Sequence, residues 1–60
     1  MMQIELDLLK KIIGVGVVFG LSATQRNLRC GFVHAYAVIK YALDSGQARQ
    51  ADDSPSIEFI

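Results

Sequence analysis

Residues 22–32, S-A-T-Q-R-N-L-R-C-G-F, decide the fold that the sequence predicts. Ser22 followed three residues later by Gln25 matches a capping box, in which each side chain bonds a backbone amide at a helix start. We therefore expect a short helix over residues 23–28. The Arg-Cys-Gly step that follows predicts a tight turn, with Gly31 free to adopt a positive φ. An apolar segment comes next, so the stretch predicts two helices joined by a turn.

The segment after this turn has the periodicity of a longer helix. Its apolar side chains recur at helical spacing and define one face: Phe32, Ala35, Val38, Ile39, Ala42 and Leu43. We expect this helix over residues 32–44. Ser45 and Gly46 follow it, and glycine is the favoured residue just beyond a helix C-terminus.

Another helix is predicted ahead of the capping box, over about residues 4–15. Its apolar positions share one helical face: Leu8, Leu9, Ile12, Ile13 and Gly16. Gly14 and Gly16 weaken this helix and then end it. The β-branched and aromatic residues of 17–19 predict a very short strand, and Gly20 closes it.

The last segment, residues 47–60, predicts a β-hairpin wing. Turn-forming residues occupy 52–55, and the final five residues partly alternate between polar and apolar, as a strand does. The chain therefore reads as one domain over residues 1–60, mainly α, with three helices and a C-terminal hairpin. This is the element order of a small winged helix-turn-helix, an α+β fold whose third helix enters the major groove of DNA.

Composition limits the class of protein. The 60 residues include six basic and six acidic side chains, so the formal net charge is zero and gives no global attraction to nucleic acid. The distribution is uneven, however. Residues 24–49 hold four Lys or Arg against one acid, whereas residues 50–60 hold three acids and no base. The sequence thus predicts a basic middle and an acidic end.

Several classes of function lack support in the sequence. The single cysteine, Cys30, cannot form an intrachain disulfide, which fits a reducing, cytoplasmic location. The longest uncharged stretch, residues 12–25, is shorter than the roughly 20 residues of a spanning helix, so we expect no membrane partner. One Cys and one His make no metal site. Without a Ser-His-acid set, paired acids or a phosphate-binding glycine loop, we expect neither an enzyme nor a cofactor.

Residues 22–46 resemble the C-terminal gamma domain of FtsK-type DNA translocases. The family pattern Ser-x-x-Gln-Arg-x-Leu/Phe-Arg-Ile-Gly-Tyr is followed here without a gap. The identical positions are Ser22, Gln25, Arg26, Leu28, Arg29, Gly31 and Ala35, and further matches follow at Phe32, Val38, Ile39 and the closing Gly46. The resemblance implies a small winged helix that reads short oriented DNA sequences and touches a site-specific recombinase.

The chain departs from this family on the third helix. The family's Asn and two Arg correspond here to Val33, His34 and Ala37, and its acid corresponds to Lys40. Arginine bound through two hydrogen bonds to guanine is the commonest specific contact in the major groove. We therefore do not expect this chain to share the family's sequence preference.

The leading hypothesis is a standalone DNA-binding protein, a regulator of transcription or an accessory factor of the kind that a phage or another mobile element encodes. Its partner would be duplex DNA. The residues expected to contact DNA lie on the helix-turn-helix and the wing: Gln25, Arg26, Asn27, Arg29, His34, Lys40 and Arg49. The simpler alternative is that these side chains are ordinary solvated surface residues, above all His34.

The outward face of the third helix favours a second hypothesis. Val33, Ala37 and Tyr41 are spaced by four and form an apolar stripe, with Tyr36 beside it. Protein interfaces favour such apolar, tyrosine-bearing faces. The chain would then be an interaction module or inhibitor on a winged-helix scaffold. It would dimerise, or dock on a target protein, through these four residues.

Overall fold

The computed structural model describes residues 2–51 and 55–60. Its elements in chain order are α1 (Met2–Ile13), α2 (Leu21–Leu28), α3 (Phe32–Asp44), β1 (Ala48–Gln50) and β2 (Ile57–Phe59). The two strands pair as an antiparallel hairpin. This confirms the predicted fold class, a small α+β fold of three helices and a C-terminal hairpin in winged helix-turn-helix order.

α1 begins and ends about two residues earlier than predicted. The amide of Gly14 donates to the carbonyl of Lys10 at 2.8 Å, and Gly14 itself has a φ of +95°. Glycine adopts this left-handed conformation without a steric cost, so the helix ends at Ile13.

The buried face of α1 differs from the predicted one. Leu6 and Leu9 are buried, whereas the predicted core residues Leu8 and Ile12 are about half exposed. Apolar residues occupy both sides of this helix, and periodicity alone does not decide which side meets the rest of the protein. The predicted core face of the first helix was therefore wrong for these two residues.

The start of α2 corrects the predicted capping box. Gly20, not Ser22, is the N-cap, and no described side chain caps the helix. The Gly20 carbonyl accepts two hydrogen bonds from Thr24, one from its amide at 3.1 Å and one from its buried hydroxyl at 3.0 Å. Ser22 therefore lies inside the helix, where its side chain is exposed.

The turn between α2 and α3 also differs from the prediction. Arg29, not Gly31, takes the left-handed conformation, with φ 52° and ψ 49°. Gly31 has a φ of −78° and serves as the N-cap of α3. The amide of Cys30 donates to the carbonyl of Gln25 at 3.1 Å, which closes the end of α2.

α3 spans the range predicted from the sequence, and a glycine ends it as expected. Gly46 has a φ of +75°. Its amide donates to the carbonyl of Leu43 at 3.2 Å, and the amide of Gln47 donates to the carbonyl of Ala42 at 3.0 Å. These two bonds form a Schellman motif, which directs the chain from α3 into β1.

The hairpin gains a third, partial strand from the loop after α1. In the hairpin Arg49 pairs with Glu58. On the other side of β2, Phe19 and Ile57 exchange two backbone hydrogen bonds of 2.8 Å each. The predicted strand over residues 17–19 is thus reduced to a single antiparallel bridge at Phe19. The predicted turn residues 52–54 lie outside the described residues.

The core lies between α1, α3 and the hairpin. Its largest buried side chains include Leu6, Leu9, Val38, Ile57 and Phe59. The rings of Phe19 and Phe59 stack with centroids 5.2 Å apart, which fastens the loop to β2. In the part of the chain that the structure describes, no helix is long and apolar enough to cross a membrane.

Candidate functional site

Two arginines stand free at the turn between α2 and α3. Arg26 lies in the last turn of α2 and Arg29 caps its end, and both are exposed. Among the described residues neither side chain has an ion-pair partner or a hydrogen bond. Only Asn27 and Leu28 separate the two arginines along the chain. The turn therefore presents two unneutralised positive charges that are close together in the sequence.

The backbone of Arg29 is strained. It is the one non-glycine with a positive φ among the described residues. A left-handed conformation costs a residue with a Cβ roughly 1–2 kcal/mol, and glycine is the usual occupant at a helix C-terminus. Strain of this kind is often found at functional sites, where the side chain is needed. An arginine at a position suited to glycine makes its side chain a candidate for function.

The amide side chains that were predicted to contact DNA together with these arginines are less available for that contact. Asn27 is half-buried, and its Nδ2 donates to the Ala23 carbonyl at 2.8 Å within its own helix. Gln25 is half-buried too, and its carbonyl holds the turn. The side chain of Asn27 is therefore engaged in local structure, and the basic side chains are the better exposed members of this group.

The other predicted basic residues are already paired with acids. His34 Nε2 lies 2.6 Å from Glu5 Oε2, Lys40 Nζ lies 3.3 Å from Asp44 Oδ2, and Arg49 Nε donates to Glu58 Oε1 at 2.9 Å. Exposed pairs of this kind contribute only about 0–1 kcal/mol each, so a stronger partner can displace them. As the chain stands, however, the positive charges of Lys40 and Arg49 are locally balanced. The unneutralised charge of the predicted set is concentrated at the turn.

The outward face of α3 is apolar in its first half. Val33 is 80% exposed, and Phe32 and Tyr36 are more than half exposed. The prediction that Phe32 belongs to the core was wrong, because its position at the start of the helix leaves its ring beyond the packed elements. The three side chains together form what we call the α3 apolar face.

The remaining predicted interface residues lie elsewhere. Ala37 and Tyr41 are half-buried, and Tyr41 packs against the core. The Tyr41 hydroxyl donates to Gln3 Oε1 at 2.8 Å, which directs the ring toward α1. Tyr41 therefore helps to join two helices and is not part of the α3 apolar face.

Sequence reasoning missed the polar cluster that Tyr41 joins. The side-chain amides of Gln3 and Gln47 exchange hydrogen bonds of 2.8 and 2.9 Å. This pair connects the start of α1 to the residue before β1. No local sequence pattern predicts this pair, because the two glutamines are 44 positions apart in the chain.

Comparison with known proteins gives no relative from which to transfer a role: no family model, curated protein or solved structure matches the chain significantly. Within the residues described, no cluster of three or more His, Cys, Asp or Glu is arranged to hold a metal ion. The candidate sites are thus the arginine pair at the turn and the α3 apolar face.

Proposed function

We propose that this chain is a DNA-binding winged helix, similar to the gamma domain of FtsK-type translocases, that grips the phosphates of duplex DNA with Arg26 and Arg29. The observation that carries the proposal is the exposed, unpaired state of these two arginines at the helix-turn-helix turn. Phosphate contacts by Arg and Lys position a protein on DNA and provide most of its non-specific affinity.

The backbone around the turn supports the same contact. α3 begins directly after it, and no described side chain caps its first amides. A helix N-terminus carries a partial positive charge and presents free N–H groups, which favour a phosphate. Only two residues separate Arg29 from the first turn of α3, so we expect one phosphate group to contact both.

The proposed binding is weakly selective for sequence. Outward residues of α3 such as Val33 and Tyr36 offer no bidentate partner for a base, although apolar groups do contact the methyl group of thymine. Affinity then depends mainly on phosphates, and this fits an accessory factor or regulator that acts along DNA with help from a partner. A strongly sequence-specific repressor would need base-reading side chains on α3.

Paired substitutions test the proposal. Arg26→Ala with Arg29→Ala removes both free charges, and we expect it to lower affinity for random duplex DNA and to reduce the slope of log K against log salt by about two. The matched control, Lys40→Ala with Arg49→Ala, removes the same charge from residues already paired with acids and has a smaller effect. Equal losses of DNA affinity in the two variants would contradict phosphate binding by Arg26 and Arg29.

The α3 apolar face favours a second candidate function, docking on a protein. Three large exposed apolar side chains in adjacent helical positions, Phe32, Val33 and Tyr36, are more than a solvated helix face normally carries. Val33→Lys separates the two functions. It adds a charge that strengthens DNA binding, whereas at a protein interface it buries an unpaired charge and abolishes docking.

A further inference from the structure

The ion pair of the hairpin joins an exposed cation to a largely covered acid. Arg49 of β1 lies directly opposite Glu58 of β2, and Arg49 Nε donates to Glu58 Oε1 at 2.9 Å. The Arg49 side chain is 69% exposed, whereas that of Glu58 is only 19% exposed. Glu5 and Asp44, the acids of the other two ion pairs among the described residues, are both more exposed than Glu58.

The packing of β2 keeps Glu58 in this position. Its neighbours Ile57 and Phe59 are both buried in the core. The backbone of β2 is also hydrogen-bonded on both sides, to β1 and to the segment that contains Phe19. Glu58 is therefore fixed by the core and the sheet, and its carboxylate is held beside Arg49.

A largely covered carboxylate holds its cation more firmly than an exposed carboxylate does. Opposite charges attract more strongly where protein replaces part of the surrounding water. Removing one partner of a covered pair also leaves the other charge poorly solvated. Among the described residues, Arg49 is the one cation that pairs with Glu58. A phosphate that took Arg49 would leave the covered charge of Glu58 unpaired, and this opposes the transfer.

We propose that Glu58 is an autoinhibitory residue that keeps Arg49 from contacting DNA. The inference rests on the proposed function, in which Arg26 and Arg29 bind phosphates at the turn. Its consequence is that wild type binds DNA more weakly than its exposed basic side chains suggest, because Arg49 contributes no phosphate contact until the charge of Glu58 is removed.

The length of α3 gives Arg49 a phosphate to contact once it is released. Arg29 precedes the N-terminus of α3, and Arg49 follows its C-terminus by five positions. A helix of 13 residues is roughly 20 Å long, and the major groove is about 12 Å wide. A helix of this length is long enough to span the groove. With Arg29 at one phosphate backbone, we therefore expect a released Arg49 to contact the other.

The salt dependence of DNA binding tests the inference, because each phosphate contact adds about 0.9 to the slope of log K against log salt. Glu58→Gln removes the charge and keeps the shape of the side chain. We expect Glu58→Gln to bind random duplex DNA more tightly than wild type. Its loss of affinity between about 50 and 200 mM salt should be about fortyfold, against about tenfold for wild type, which corresponds to one added contact.

Asp7→Asn is the matched control for net charge. Asp7 is exposed and forms no ion pair within residues 2–51 and 55–60. The substitution raises the net charge by the same amount as Glu58→Gln but releases no cation, so its salt slope should equal that of wild type. A slope for Glu58→Gln that equals the wild-type slope, or an equal rise in Asp7→Asn, overturns the inference.

Removing both partners of the pair distinguishes inhibition from direct contact. Glu58→Gln with Arg49→Gln has the net charge of wild type and no cation to release, so we expect the wild-type slope. A shallower slope than that of wild type would mean that Arg49 already contacts DNA in the unmodified chain, and it would overturn the inference. Circular dichroism checks that each variant is folded. Glu58→Thr, which also removes the charge and suits a strand, should give the same slope as Glu58→Gln.

The outcomes also separate this inference from the proposed function. Suppose that Arg26→Ala with Arg29→Ala reduces the slope of wild type while Glu58→Gln leaves it unchanged. Phosphate binding at the turn then stands, and the autoinhibitory role of Glu58 alone is overturned. If wild type and Glu58→Gln both fail to bind DNA as folded proteins, both proposals are overturned.

Discussion

His34 Nε2 on α3 lies 2.6 Å from Glu5 Oε2 on α1, across 29 residues of chain. The pair joins the helix predicted to meet DNA to the first helix, and it holds in place a side chain that was itself predicted to contact DNA. Both side chains are partly exposed. Its contribution to stability is therefore modest.

Glu5→Gln should lower the free energy of unfolding by up to about 1 kcal/mol. It removes the negative charge from a partly exposed pair but keeps the shape of the side chain. Urea denaturation followed by circular dichroism measures this. Asp44→Asn is the matched control, since it removes the carboxylate of the more exposed pair with Lys40 and should cost less, at most about 0.5 kcal/mol. A larger loss of stability for Asp44→Asn than for Glu5→Gln would contradict the conclusion that the less exposed His34–Glu5 pair contributes more.

Arg29→Gly should make the protein more stable by about 1 kcal/mol, because glycine adopts the left-handed conformation without strain. It should also weaken binding to DNA. Arg26→Gly is the matched control: it removes the same side chain from a helical position, where glycine costs about 1 kcal/mol. Thermal unfolding of both variants should thus show shifts of opposite sign, and a destabilised Arg29→Gly would show that the turn does not hold the strain described here.

The Gln3–Gln47 pair should give a measurable coupling between α1 and the residue before β1. Each single change to alanine removes both hydrogen bonds between the two amides, and we expect a loss of about 1–2 kcal/mol. Gln3→Ala also removes the bonds to Asp7 and Tyr41, and Gln47→Ala also removes the bond to Ser45. In a double-mutant cycle the two changes together should cost about 1 kcal/mol less than their sum, because each already removes the interaction. Strict additivity would mean that the two amides do not act as a pair.

Phe59 is the core residue whose loss this small fold should tolerate least. Its side chain is fully buried and stacks on Phe19, so Phe59→Ala should cost about 3–5 kcal/mol. A core in a chain this short rarely supplies more than about 3–5 kcal/mol in total, so the variant should be largely unfolded. Phe32→Ala, at an exposed ring, should cost less than about 1 kcal/mol and leave the circular dichroism spectrum unchanged. Similar losses in the two would contradict the burial described here.

Local signals in the sequence were sufficient for the fold class. The apolar period of α3 and the glycine that ends it both act within a few residues, and the structure follows them. The capping box failed because α2 begins at Leu21, with Gly20 as its N-cap, so that Ser22 already lies inside the first turn.

Long-range contacts account for most of what the sequence could not predict about the candidate site. Whether His34 or Arg49 is free depends on acids that the fold brings close, and no spacing rule indicates that Glu5 lies beside His34. The faces of α1 were ambiguous for the same reason, since Leu6 and Leu8 are equally apolar and the packing of α3 selects one of them. The free state of Arg26 and Arg29 became apparent only once these pairs were known.

The most direct test of the central claim is the fluorescence anisotropy of labelled random duplex DNA titrated with the wild-type protein at about 50 and 200 mM salt. Two phosphate contacts predict that affinity falls about tenfold between these conditions, with a slope near −0.9 per contact. A fall nearer a hundredfold would mean that Lys40 and Arg49 leave their acids and join the interface. Affinity that is equal at both salts, or no binding by the folded protein, would contradict phosphate recognition by Arg26 and Arg29.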